Sequence, residues 1–170
     1  MNCFTTKILR AADSEAFRAL RLEAVQSFGD IFANYYQNML GRPDDFWRRF
    51  CTETADQCLF GLFDGDRLIG VVGAEKWDKD ETGKTALWTY AYLKPEYRGK
   101  KLAQELYRAR EEWTKKHPRY ERAVLSIQEE SVRSIEIHEK HGARYLYTEQ
   151  TRWYDGPSAP WRWYKKHWQD

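Results

Sequence analysis

The sequence has little that would tie it to a membrane, a metal or an oxidising compartment. Its three cysteines, Cys3, Cys51 and Cys58, are odd in number and follow neither metal-ligand nor redox spacing. That usage points to reduced thiols in a cytoplasmic protein. None of them neighbours a histidine, so a covalent cysteine route has no support. No apolar run approaches the roughly 18–20 residues of a membrane span, and the N-terminal end lacks the apolar core of a signal peptide. An excess of one charge is also missing: 28 Lys and Arg against 26 Asp and Glu leave a net +2. That balance is too small by itself to imply a nucleic-acid or membrane partner. No repeat, low-complexity block or Pro/Gly/Ser-rich linker divides the chain. Residues 1–170 therefore read as one domain, able to bury roughly 70% of its unfolded surface.

Aromatic residues are abundant, at 16%, and four of the eight Trp follow Thr151. An aromatic, basic end (Trp153, Tyr154, Trp161, Trp163, Tyr164, Lys165, Lys166, Trp168) is either a packed strand pair or a stacking surface for bases, and the absence of a basic stripe favours packing.

Periodicity and turn signals divide the chain into elements. A first strand is expected over 7–10. Asp13 or Ser14 caps a helix carrying Phe17, Leu20 and Ala24 at helical spacing. Residues 27–40 read as a loop plus a helix through Tyr35 and Tyr36. Pro43-Asp44-Asp45 starts a further helix with Phe46, Trp47 and Phe50 as its buried stripe. Strands over 59–63 and 68–74 are joined at Asp64-Gly65, a hairpin signal. The next strand, 87–93, is expected to carry Trp88, Tyr90 and Tyr92 on one face. A helix over 101–116 shows Leu102, Leu106, Ala109 and Trp113 at helical spacing and stops at His117-Pro118. A strand over 123–127, a helix over 131–141 ending at Gly142 and strands over 144–154 and 161–168 complete the chain. Hairpins mixed with crossover helices argue for an α/β or α+β domain on a mixed sheet.

The most informative stretch joins the strand over 87–93 to the following helix. It ends in Leu93-Lys94-Pro95, passes a basic turn, Arg98-Gly99-Lys100-Lys101, and opens into the helix. A strand, a tight turn and a helix start point several unpaired N–H groups at one spot, where the helix dipole also favours negative charge. The turn is thus a phosphate or pyrophosphate cradle, or else an ordinary solvated turn.

With the order of elements in place, these residues resemble the GCN5-related N-acetyltransferase (GNAT) superfamily. Its Arg/Gln-x-x-Gly-x-Gly/Ala signature after a Val-x-Pro-like strand end is matched by Arg98 to Ala103 after Leu93-Lys94-Pro95. Its Asn-led helix ending Tyr-Glu-Lys-x-Gly-Phe is echoed from Ser131 to His138-Glu139-Lys140-His141-Gly142-Ala143. The resemblance covers nearly the whole chain. It implies a GNAT fold: a mixed, mostly antiparallel sheet of about seven strands flanked by about four helices. It also implies acetyl-CoA as cosubstrate and N-acetyl transfer to a primary amine on a small molecule or a peptide N-terminus. The implied protein is a monomer or homodimer without nucleic-acid or membrane partners. The departures are Lys101 where the family has Gly, Ser131 for Asn, and His138 for Tyr; they keep open a second reading, a non-catalytic acyl-CoA sensor. Lys101 is harmless if it sits in ordinary helical geometry.

The resemblance implies that backbone groups of Gly99, Lys100, Lys101, Leu102 and Ala103 hold the pyrophosphate, with charge from Arg98 and Lys100 or Lys101. It implies that the strand end at Tyr92 and Leu93 keeps backbone groups free for the pantetheine arm and the thioester carbonyl. Ser131, Ser134, Ile135 and His138 fall on one helix face. If that face lines the cofactor, Ser131 and Ser134 touch it and a protonated His138 (imidazole about 6.5, thiol about 8.5) acts as general acid. Otherwise His138 is a surface or core histidine. Glu75 is the carboxylate expected as general base, with Glu129 and Glu130 as alternatives. His138 and His141 are one residue short of a metal-binding His-Glu-x-x-His, so no metal site is expected. Phe28, Phe32, Tyr35, Tyr36, Trp88 and Tyr90 are expected to wall the acceptor pocket.

Overall fold

The computed structural model describes residues 4–168; Cys3 lies outside them. Seven strands form one sheet: β1 (Phe4–Ile8), β2 (Gln57–Asp64), β3 (Arg67–Lys76), β4 (Thr85–Leu93), β5 (Arg122–Gln128), β6 (Arg144–Arg152) and β7 (Ser158–His167). Their spatial order is β1-β2-β3-β4-β5-β7-β6, antiparallel except for the β4–β5 pair. The helices are α1 (Ser14–Gln26), α2 (Ala33–Leu40), α3 (Asp44–Phe50), α4 (Ala103–Lys116) and α5 (Val132–Lys140). The described residues form five helices where the resemblance implied about four; as the periodicity suggested, the turn through Gly41 and Pro43 separates α2 from α3, and Pro43 has no N–H with which to continue α2. The first strand lies earlier than expected, at 4–8, since its pairing with β2 runs from Phe4↔Asp64 to Ile8↔Phe60. Arg10 then gives its N–H to the Asp13 carboxylate (2.8 Å), which turns the chain into α1.

Side chains of β2 alternate between the two faces, and with those of β3, whose alternation is interrupted at Ile69 by an irregular register, they build a core on each side of the sheet. Phe17 and Leu20 of α1 and Trp47 of α3 pack on Leu59, Phe63 and Val71. Leu102 and Leu106, at and after the start of α4, pack on Leu62, Ile69 and Val72 on the opposite face. A third cluster joins Trp88, Tyr107, Ile127, Ile135 and Tyr164 beneath α4 and α5. Cys51 and Cys58 are free and buried within these cores, and burial, reinforced by Asp13 and Glu53 respectively, pushes both thiols up to about 12. They stay protonated and inert.

The sheet breaks its own alternation in β4. Gly73 pairs with Thr89 and Val71 with Tyr92, so Val72 faces both Tyr90 and Ala91. This is a β-bulge, and Tyr90 takes the left-handed conformation (φ 57°) to make it. The bulge reverses the facing of the strand. Trp88 lies under α4, whereas Tyr90 and Tyr92 lie on the α1 side, not all on one face as simple alternation predicted. Gly73 permits the close approach: a Cβ there would stand 2.7 Å from Thr89 Oγ1 and 2.9 Å from Tyr90 Cδ2.

Candidate active site

Two neighbouring strands part company at the centre of the sheet. β4 and β5 pair only at Thr85↔Arg122, Ala86↔Ala123 and Leu87↔Val124. Beyond Leu87, β4 keeps β3 alone and β5 keeps β7 alone. The fork leaves the facing edges of Trp88, Thr89, Tyr90, Ala91, Tyr92 and Leu93 without a ladder partner, as the strand-end expectation required. Tyr92 turns its side chain away from the fork: its hydroxyl donates to Glu23 Oε1 of α1 (2.9 Å), and Lys94 pairs with the same carboxylate. The Leu93 carbonyl is occupied, accepting from Arg98 Nε (2.9 Å).

At the mouth of the fork the basic turn leads into α4. Among the described residues, no backbone acceptor takes the N–H of Gly99, Lys100, Lys101, Leu102 or Ala103; the next two, Gln104 and Glu105, bond Lys101 O and Leu102 O (3.1 Å each). Five consecutive free donors at a helix start, with open space around Gly99 Cα (φ 78°), form a cradle that fits an anionic diphosphate. Lys101 does not have ordinary helical geometry: its φ is 61°, the left-handed region that suits Gly. Its side chain is exposed. Arg98 folds back over the Tyr92 ring (5.7 Å) and Lys100 over the Tyr97 ring (5.2 Å). Their charges border the cradle from the strand side.

The α5 face read from the sequence is the inward one: Ser131 and Ser134 are half-buried, Ile135 and His138 buried, and the intervening residues exposed. His138 Nδ1 bonds Ser134 O (2.8 Å), so Nδ1 carries the hydrogen and Nε2 is left as a bare lone pair. Among the described residues that Nε2 is buried without a hydrogen-bond partner, and the ring packs edge-on to Tyr107 (5.7 Å). Burial first, then the nearby Arg110 cation, pull the His138 pKa down to about 4. The protonated general acid expected from the sequence is therefore not the resting state, because a second positive charge beside Arg110 in a desolvated position is unfavourable. His138 and His141 gather no metal set: among the described residues no three His, Cys, Asp or Glu are so arranged.

On the opposite face, Glu75 pairs in register with Leu87, the last residue before the fork. It lines a cleft of about 570 Å³ together with Gln57, Trp77, Asp78 and Trp163. Burial, aided by the Asp78 charge, raises the Glu75 pKa above the ordinary carboxylate range. The alternatives fare otherwise: Glu129 is held by Arg162 (2.8 Å), and Glu130 is an exposed turn residue. Phe28, Phe32 and Tyr35 join Trp153, Tyr154 and Trp161 in a ring cluster that clasps the segment before α2 to the β6–β7 turn. Tyr90 lies below, under the Arg21 guanidinium (4.9 Å). Of the expected acceptor wall, Trp88 is on the wrong side of the sheet and Tyr36 takes no part in these ring contacts. The aromatic end is packed: Trp168 stacks on Trp88 and gives its Nε1–H to Tyr120 O (3.0 Å), and Trp163 Nε1 donates to Glu149 (2.7 Å).

Sequence reading missed Arg110 and, for Trp163, which it named only as part of the aromatic end, the place beside Glu75. Arg110 had a signal, since it follows Leu102 and Leu106 at four-residue steps on the buried stripe of α4. Trp163 had none, because its position beside Glu75 depends on the β5–β7 pairing. Among the described residues no helix is long and apolar enough to cross a membrane.

Solved structures share this architecture. The yncA protein of Salmonella typhimurium, solved with its cofactor acetyl-CoA, superposes with a TM-score of 0.81 at 15% identity, over 99% of this chain and 95% of that one. The PaiA N-acetyltransferase of Thermoplasma acidophilum, in complex with coenzyme A, gives 0.71 at 18% over 98% and 99% of the two chains. NAA60 of Arabidopsis thaliana, in complex with acetyl-CoA, gives 0.75 at 11% over 99% and 100%. At such identities the likeness is one of fold. A comparison with curated proteins finds no match. The sequence model of the acetyltransferase (GNAT) family matches residues 11–143, well over half of the chain, and the chain belongs to that family.

Proposed function

We propose that residues 1–170 form a single acetyl-CoA-dependent N-acetyltransferase domain that acts in the cytoplasm on a primary amine, carried by a small molecule or a peptide N-terminus. The observation that carries this reading is the β4–β5 fork opening beside five free N–H groups at the start of α4. One feature binds an extended arm and the other a diphosphate, and the two meet at one end of the same strand. The residues present fit acetyl-CoA, which when bound supplies the acetyl thioester.

Gly99, Lys100, Lys101, Leu102 and Ala103 then bind the diphosphate through backbone N–H groups, and exposed Lys101 adds charge. The free edge of β4 orients the arm and directs an N–H at the thioester oxygen. Ser131 and Ser134 border the arm from α5. Across the sheet, Glu75 holds the place of a proton acceptor: its raised pKa brings it nearer to that of an amine losing a proton in the reaction. The aromatic clasp over the fork excludes water from the acceptor side. That PaiA, of the same fold, is an N-acetyltransferase supports an amine as acceptor.

His138 favours a second reading. A neutral, buried ring packed edge-on to Tyr107 is no ready acid, which suits an acyl-CoA sensor that binds without turnover. A thiol-release assay with acetyl-CoA and a panel of polyamines, aminoglycosides, amino acids and peptides separates the two. Turnover on one class supports the enzyme; tight CoA binding with no thiol release on any of them supports the sensor.

A further inference from the structure

Arg110 is a buried charge that, among the described residues, forms no ion pair with a carboxylate. It sits on the inner face of α4, 2% exposed. Among the described residues its guanidinium takes part in no hydrogen bond or ion pair, and Nε is enclosed without a partner. Its neighbours are ring faces, Trp88 at 4.2 Å and Tyr107 at 5.7 Å. The adjacent carboxylate, Glu111, is paired with Lys166 of β7 and with Lys115. The other titratable groups that act on it are Tyr107 on its own helix and His138 on α5, and His138 in turn feels His141, just after α5, and Lys166 on β7. A desolvated cation without an anion is costly, and an apolar side chain of similar length would suit a purely structural position better.

Two further observations locate what is missing. Trp88, over which the guanidinium lies, is the first β4 residue beyond the last β5 pair, so Arg110 stands at the root of the fork. His138 Nε2, a further enclosed atom without a hydrogen-bond partner among the described residues, lies on α5 next to the same helix. A cation and a lone pair are both waiting on the cofactor side of the sheet, and no bond joins them.

We propose that Arg110 is an anion receptor for the sulfur of the cosubstrate, holding the negative charge that the sulfur acquires when the thioester is broken. This rests on the acetyl-CoA reading above. In the transfer, a carbon–nitrogen bond forms to the acceptor amine and the carbon–sulfur bond breaks with its electron pair left on sulfur. The amine loses one proton, which passes to Glu75 in the reading above. Arg110 offsets the sulfur charge through the guanidinium, and once the sulfur is protonated His138 Nε2 is free to accept a hydrogen bond from the thiol. A carboxylate at the end of an acidic acyl chain would present the same chemistry. Sulfur is favoured because its charge arises with acetyl itself, the group of the family to which the chain belongs.

The test is direct binding by calorimetry, with CoA and with CoA lacking its sulfur, to wild type, Arg110→Met and Arg110→Lys across a range of pH. Thiolate absorbance reports the bound thiol. We expect the wild type to lower the bound thiol from about 8.5 to below about 7.5, Arg110→Met to return it to about 8.5 or above, and Arg110→Lys to keep part of the effect. CoA lacking sulfur binds wild type and Arg110→Met within about twofold, and ligand-free Arg110→Met melts higher than wild type. The same bound-thiol titration in wild type and Arg110→Met overturns the proposal. So does a lower melting temperature in Arg110→Met together with weaker binding of both ligands, which would mark a structural role. Succinyl-CoA binding more tightly than acetyl-CoA, in an Arg110-dependent way, assigns the guanidinium to an acyl carboxylate and overturns the sulfur assignment. Failure of wild type to bind either CoA form overturns the acetyl-CoA reading itself.

Discussion

Replacing Lys101 by Gly should stabilise the protein. Lys101 is held at φ 61° with its side chain in solvent, so its removal costs no packing. A non-glycine residue in the left-handed region costs roughly 1–2 kcal/mol. Glycine regains this but loses about 0.5–1 kcal/mol through its freer unfolded chain. The net gain is about 0.5–1 kcal/mol. With an unfolding entropy of about 2.1 cal/mol/K per residue, a chain of 170 residues should gain about 1.5–3 °C in melting temperature. Calorimetry of Lys101→Gly, Lys101→Asn and Lys101→Ala tests the cause. Gly and Asn tolerate the conformation and should melt above Ala, which retains the cost. All three lose the same charge and should weaken CoA binding alike, by roughly twofold to fivefold. Equal melting temperatures for the Gly and Ala variants would refute the backbone argument.

His138 should make the protein acid-sensitive: its folded pKa of about 4 lies below the ordinary 6.5, so the unfolded chain binds the extra proton between these values. Stability is full above about pH 6.5 and falls by about 3 kcal/mol by about pH 4; urea titrations should show His138→Phe losing less over this interval. Glu75 has the opposite sign among raised carboxylates. Its folded pKa is above 4.5, so the folded state binds the extra proton and stability declines as pH rises through that range. Glu75→Gln should match wild type in acid, exceed it in stability at neutral pH and transfer acetyl more slowly; a variant less stable at neutral pH would count against the assigned burial. Gly73→Ala puts a Cβ within 3 Å of Thr89, Leu59 and Tyr90. It should cost about 1–3 kcal/mol in denaturant titrations, and a neutral outcome would mean that the bulge is looser than described.

Much of this molecule was legible as sequence because its signals are local. Pro43 before Asp44-Asp45, Asp64-Gly65 between two apolar runs and Gly142 after α5 each fix a boundary within a few residues of chain. The inward face of α5 followed from spacing alone, and the free donors beyond Arg98 from the turn into α4. What the sequence by itself determined was therefore the order of elements, the free N–H groups of the basic turn and the family. Tertiary structure decided which face of β4 each aromatic takes, because one bulge residue reverses every side chain beyond it. It also decided that Lys101 is strained and that Arg110 is enclosed without an anion. Above all it decided the charge of His138. A pKa is set by desolvation and by neighbours brought together from α4, α5 and β7, and no spacing within a single helix encodes that sum.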